Sequence, residues 1–396
     1  MNRVQYLLSS GAHVDATDSN RSTALHAAAK TGKVDVVEAL ISHGADIYAF
    51  SDKGFSPLHE AAFSGQCGVL KTLVQAGADI AQRSLIRPGY GGSNHGGDTP
   101  LHIASRQSME DAVQVLIAAG SNTNTQNAEK DTALHIAAAV EAHGILKMLI
   151  SAGADLKVRN RNGETALHEA VRSGSQDSVH FLISAGVEID ARAQCGPWRG
   201  QSALQYTARS EQGDSVLIAS QLLAAGANVN LDEYVGESPL VFAASRGSLD
   251  MVSLLISAGA KVRCEAGRDA LYLALKAGHL DVVSKLKSRG ADVNYHESGR
   301  STLLELAVID EEKENVELLL AAGAKTSLDA LFYGAVGGQS VITELLLAAG
   351  SSADDRYMGR TVLSWVRDKP RAGFDTMSAT KRQEMVNLLK GHGARN

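Results

Sequence analysis

Aromatic residues make up only 5% of this 396-residue chain. One large globular core normally recruits more ring bulk than that, so a single thick core is not expected. The three cysteines, Cys67, Cys195 and Cys264, are odd in number, far apart and form no CxxC pair. They exclude a disulfide framework or zinc ribbon and fit a reducing compartment. No apolar run approaches the roughly 18 residues of a membrane span, and the opening Met1-Asn2-Arg3-Val4-Gln5 lacks a signal-peptide core. The expected location is therefore cytoplasmic or nuclear. Charge of one sign is nowhere concentrated, and the net charge is −6, which argues against a nucleic-acid partner. Phosphate loops of the form GxxxxGKS/T, a GxGxxG after a strand, HExxH and GxSxG are all missing. No enzyme activity and no cofactor is expected.

What is abundant is alanine, leucine and glycine, arranged periodically. An apolar run ending in Gly-Ala recurs at Gly11, Gly44, Gly77, Gly153, Gly226, Gly259, Gly290 and Gly323, with weaker copies at Gly120, Gly186, Gly350 and Gly393. Gly11 to Gly44, Gly44 to Gly77, Gly120 to Gly153 and Gly153 to Gly186 are each 33 residues. Upstream lies a second tag, Thr23-Ala24-Leu25-His26, repeated with Ser56-Pro57-Leu58-His59, Thr99-Pro100-Leu101-His102, Thr132-Ala133-Leu134-His135 and Thr165-Ala166-Leu167-His168. Thr or Ser suits a helix N-cap, and Pro suits the first helical position, where its missing N–H is not needed. Leu and the Ala pair after it form a buried stripe. A mid-repeat glycine such as Gly32, Gly65 or Gly174 ends the helix with positive φ. A second amphipathic segment follows, as in Val36 to Ile41. Each unit reads as turn, helix, turn, helix, and because one unit cannot bury its own apolar face, units must stack.

This pattern resembles the ankyrin repeat, with about twelve copies over essentially the whole chain. The resemblance implies an all-α solenoid of helix-turn-helix units with short β-hairpin fingers. It further implies a curved stack whose fingers and first helices line a concave face that commonly binds proteins. The tag histidine is implied to hydrogen-bond the neighbouring turn. A metal role for the five tag histidines is set aside on distance, since zinc–nitrogen bonds of about 2.0–2.1 Å cannot be shared across layers about 10 Å apart.

Departures from the period carry the functional reading. Gly77 to Gly120 is 43 residues, with the excess in 82–97; Gly186 to Gly226 is 40, with excess in 191–201 and around 211–215. Both finger insertions carry binding-type anchors, Arg87, Tyr90 and His95 in one, Trp198 and Arg199 in the other. Tyr206 is read as support for the second loop, and Phe242 and Trp365 as packing between repeats. After the Ala pair come Lys30, Arg106, Arg172, Arg209, Arg246 and Lys276, a basic track suited to an acidic protein or peptide. Glu60 and Glu169 are read as solvated or partly buried helix surface. In the second half the Leu-His tag degrades. Gly323 to Gly350 is only 27 residues, leaving almost no finger, and this drift is either ordinary divergence or a second binding surface. Residues 368–396 read as a loop and capping helix. Val4 to Leu8 reads as a second helix without its first, from either a worn-down repeat or a longer protein. The expectation is a monomeric, non-catalytic interaction scaffold. Two alternatives stand beside it: a small-molecule binder or atypical enzyme with a pocket under the inserted loops, and an effector-type protein that binds host proteins.

Overall fold

The computed structural model of the chain describes residues 2–85, 96–196, 199–210, 213–231, 238–296, 300–368 and 377–395. Contacts gather it into two compact units, Met1–Asn228 and Val229–Asn396, where the sequence alone reads as one stack.

The first unit holds α1 (Asn2–Ser9), α2 (Ala24–Thr31), α3 (Val34–Ser42), α4 (Pro57–Phe63), α5 (Cys67–Gln75), α6 (Pro100–Arg106), α7 (Glu110–Ala118), α8 (Ala133–Ala139), α9 (His143–Ser151), α10 (Ala166–Ser173), α11 (Gln176–Ser184), α12 (Ala203–Arg209) and α13 (Ser215–Ala224). Even-numbered helices from α2 to α12 pack on one another as an inner layer, and odd-numbered helices form the outer layer. The second unit holds α14 (Pro239–Ser245), α15 (Leu249–Ser257), α16 (Glu265–Lys276), α17 (Leu280–Ser288), α18 (Leu303–Ile309), α19 (Lys313–Ala321), α20 (Leu328–Val336), α21 (Ser340–Ala348), the hairpin β1 (Arg356–Tyr357) and β2 (Arg360–Thr361), α22 (Val362–Arg367) and α23 (Ala379–Gly391). Among the described residues no helix is long and apolar enough to cross a membrane.

The tag explains the inner layer. In α8, the Thr132 N–H donates to His135 Nδ1 at 3.3 Å, Thr132 Oγ1 lies 2.8 Å from the same nitrogen, and His135 Nε2 donates to the Glu164 carbonyl at 3.2 Å. One neutral imidazole thus caps its own helix and grips the next finger, and His26, His59, His102 and His168 repeat this. Behind it, Leu134, Ala137 and Ala138 are buried. Paired alanines let inner helices approach closely, which is why so little aromatic bulk suffices.

Fingers stack as well. The N–H groups of Asp52, Leu85, Ala128 and Arg161 donate to the preceding finger's Asn20, Gly54, Gly96 and Glu129 carbonyls at 2.8–3.1 Å. Gly163 needs its glycine here: φ is +70° and a Cβ would meet Gln194 Cβ at 2.4 Å. Both insertions leave from paired finger bases. Gly97 N donates to Ser84 O (3.0 Å) and Ser84 N to Asp98 O (2.8 Å); in the other, Ala193 N donates to Gln201 O (3.0 Å) and Gly200 N to Ala193 O (2.7 Å).

The mid-repeat glycine works as its position demands: Gly32, Gly65 and Gly174 have φ of 73°, 66° and 80°. Ser108, Glu141 and Glu311 hold the same turn at 55°, 59° and 60° without being glycine. A left-handed L-residue is strained by about 1–2 kcal/mol, of which glycine's greater unfolded freedom cancels about half. Glu141→Gly is therefore expected to stabilise the chain by about 0.5–1 kcal/mol, read as a higher urea midpoint with an unchanged m-value.

Candidate functional site

The finger-and-inner-helix face of the first unit carries a ladder of polar groups. Two successive fingers are each built around a buried asparagine. Asn127 Oδ1 accepts from the N–H groups of Glu129 (3.0 Å) and Asp131 (2.9 Å), and Asn160 Oδ1 does the same for Asn162 and Glu164 (3.0 Å each). Their amide groups reach the acids of the groove. Asn127 Nδ2 donates to Asp98 Oδ1 at 2.7 Å, and Asn160 Nδ2 to Glu169 Oε1 at 3.0 Å. Asp98, Asp131 and Glu164 occupy one register, the residue before the helix cap.

Arginines lie across these acids. Arg106 Nη2 is 3.2 Å from Asp98 Oδ2, and Arg172 pairs with Glu169. Lys30 is exposed, and Arg209 is half-buried on the same row. Asp131 has Ala139 at the corresponding helix position instead of an arginine, and one of its oxygens is buried without a hydrogen-bond partner. Burial pushes the Asp131 carboxyl up to about 6. Burial likewise pushes Glu169 up to about 7, against the pull of Arg172.

The expected site residues divide into three groups. Arg87, Tyr90, His95 and Trp198 lie outside the described residues, while Arg199 is exposed within the second insertion. The basic row falls on both units. Lys30, Arg106, Arg172 and Arg209 belong to the first. Arg246 and Lys276 belong to the second, where Lys276 Nζ is held by Asp310 (2.9 Å) and Glu312 (3.2 Å). Arg106, Arg172 and Lys276 are thus seated on acids of this chain.

Two readings of burial need correction, those of Glu60 and Glu169. Glu60 and Glu169 are 5% and 4% exposed, because the neighbouring layer covers this helix position, where α6 and α8 place the buried Ile103 and Ile136. Tyr206 is buried too; its hydroxyl donates to Glu164 and its ring meets His168 edge-on at 5.4 Å. It braces the finger from inside. Trp365 packs between layers as its position suggests, with Nε1 donating to Tyr357 O at 3.0 Å and its ring 5.7 Å from Phe332. The acid ladder itself was missed, although the signal is in the sequence: Gly97-Asp98-Thr99, Lys130-Asp131-Thr132 and Gly163-Glu164-Thr165 place an acid before the cap three times running.

Layered helix pairs joined by stacked fingers define the chain as a helical repeat solenoid. The family profile for ankyrin repeats, in three copies, matches residues 1–84, 101–193, 204–297 and 242–329, and the chain belongs to the ankyrin-repeat family. The match is interrupted at 85–100 and 194–203, where the two long fingers lie. No curated protein matches the chain.

Proposed function

We propose that this chain is a non-catalytic scaffold that binds a protein or peptide along the finger-and-inner-helix groove of its first unit, between the two finger insertions. The observation that carries this reading is the seating of Arg106 and Arg172. Asp98 and Glu169 hold them from below while 28% and 55% of their side chains stay exposed. A guanidinium fixed in this way has lost its rotamer freedom before binding, so its outer N–H groups meet a partner at reduced entropic cost. Carboxylates or backbone carbonyls of an extended segment suit such donors. Arg199, exposed at the far insertion, and Lys30, on the first inner helix, extend the same preference. Family membership supports the protein-binding class, and the two long fingers bound the segment's length. They stand three layers apart, about 30 Å if layers are spaced like packed helices.

The test is capture from cell lysate at low and high salt, comparing wild type with Arg106→Ala/Arg172→Ala and with Arg87→Ala/Trp198→Ala. A partner held by wild type, released by salt and lost in both variants is the expected outcome. A partner kept equally by both variants moves the site off this groove. Capturing nothing with wild type overturns the scaffold reading.

A further inference from the structure

The second unit has a cleft where a finger should be. In the first unit the joints between complete layers are made twice. The tag histidine donates to a carbonyl of the following finger, as His26 does to Phe55 and His59 to Asp98, both at 3.0 Å. The finger tips then pair through their backbones.

The layer of α20 starts in the same way. Lys325 N donates to Asn294 Oδ1 at 2.7 Å and Asn294 Nδ2 to Gly323 O at 3.1 Å, just as Asp155 N donates to Asn124 Oδ1 at 2.8 Å in the first unit. There the resemblance stops. Eleven residues lie between Gly120 and the cap Thr132, but only three lie between Gly323 and the cap Ser327, whose side chain accepts from Ala330 N at 3.1 Å. The missing chain leaves a cleft of about 550 Å³, a size typical of ligand-binding clefts. Asn294, Arg300 and Glu305 line one side; Lys325, Asp329 and Tyr333 line the other.

Glu305 stands at the helix position where five layers of the first unit carry the gripping histidine. It keeps the capping half of that role, Oε2 accepting from Thr302 N at 3.0 Å. Its other oxygen accepts from Ser327 Oγ at 2.6 Å. The grip has therefore changed sign. A histidine Nε2–H attracts a carbonyl, whereas a carboxylate repels one and attracts N–H or a cation. An ordinary finger would set its carbonyl against this buried charge and is excluded. Arg300 does not neutralise it, because its guanidinium turns away to pair with Glu265 on α16. Among the described residues neither Glu305 nor Asp329 takes part in an ion pair. Partial desolvation and the neighbouring Glu305 push the Asp329 carboxyl up, the effect of a like charge beside it.

We propose that this cleft receives an extended segment of a protein partner in place of the absent finger, with a lysine or arginine of that segment seated on Glu305 and Asp329. An extended backbone suits the rest of the lining, since its carbonyls find Lys325 and Tyr333 and its N–H groups find Asn294. The mode is docking of an extended segment with one charged anchor. It is independent of the first unit's groove and favours the opposite charge, so the two surfaces select different segments.

A displayed library of random eight-residue peptides is panned against the full-length chain, and the enriched peptides are resynthesised for calorimetry. Enriched peptides are expected to share a lysine or arginine at one register. They should bind about tenfold or more weakly to Asp329→Lys and lose affinity at high salt. Glu305→His, which restores the residue type of the complete layers, should abolish the basic preference while the melting temperature holds. Glu305→Gln, which keeps the shape and removes the charge, should do the same. Asp329 is exposed, so Asp329→Lys should also fold. Two results overturn the proposal. One is the absence of any peptide family that distinguishes wild type from Asp329→Lys. The other is a basic preference that survives undiminished in both Glu305→His and Glu305→Gln at wild-type stability. Unchanged binding to Arg106→Ala/Arg172→Ala separates this site from the groove.

Discussion

His135→Gln is expected to leave stability at pH 7 within about 1 kcal/mol of wild type, yet to exceed it by about 3 kcal/mol at pH 4. The neutral-pH half rests on the chain's own precedent. Gln205 stands at the tag position of α12, where its Oε1 accepts from the Ser202 N–H at 2.8 Å, so an amide can cap as the imidazole does. The acid half follows from burial. His135 is 2% exposed, and burial depresses it to about 4; His59 and His168 are depressed to about 4 in the same way. A proton on His135 Nδ1 would also face the Thr132 N–H it now accepts from. The unfolded chain, with histidine near 6.5, takes up protons first, so stability is lost as pH falls from about 6.5 towards 4. At about 1.4 kcal/mol per pKa unit each such histidine contributes roughly 3 kcal/mol. Asp131 and Glu169 run the other way. Their folded values of about 6 and 7 lie above the ordinary carboxyl, so protonation favours the folded chain as pH drops through that range. They offset part of the loss but not all of it, since the depressed histidines outnumber them. Melting temperature against pH for wild type and His135→Gln tests this; parallel curves would show that His135 does not titrate between the two states.

Much of this was readable before the structure. Thr132 and His135 at a three-residue spacing specify both a cap and a grip, because an imidazole offers an acceptor and a donor on opposite edges. The 33-residue period located the fingers, and the long intervals located the insertions. Burial of individual polar groups was harder to read. Glu169 and Ile136 occupy the same helix position, and the period says only that they are equivalent. What covers them depends on neighbouring chain, and for Glu169 this includes the finger leading into its own helix, where Asn160 donates to it at 3.0 Å. Tyr206 reads as support for the loop just before it, yet its hydroxyl reaches Glu164, 42 residues away. The degraded tag of α18 hides an exchange of donor for acceptor at Glu305, which gains meaning only beside a missing finger. Spacing encodes position along a solenoid, whereas the charge state of a groove depends on contacts between layers.

Leu134→Ala should destabilise its region by about 2–5 kcal/mol, and the more informative expectation is where the loss appears. Leu134 is 1% exposed on α8, which packs against α6 and α10 in its own layer and α9 in the other. Little can collapse into the space left behind, because the surrounding positions are alanines such as Ala137 and Ala138 that have no side chain to swing inward. The upper part of the range is therefore expected. In a repeat stack each layer is stabilised by its neighbours, so a defect in a middle layer weakens two interfaces at once. Amide exchange should accelerate in α6, α8, α9 and α10 and remain unchanged in α18 to α21, which belong to the other compact unit. Leu7→Ala is the natural control. Leu7 is 49% exposed on the first helix, and its removal should stay within about 0.5 kcal/mol. A uniform rise in exchange over both units in Leu134→Ala would mean that the chain opens as one cooperative block, and the layer-by-layer account of its stability would fail.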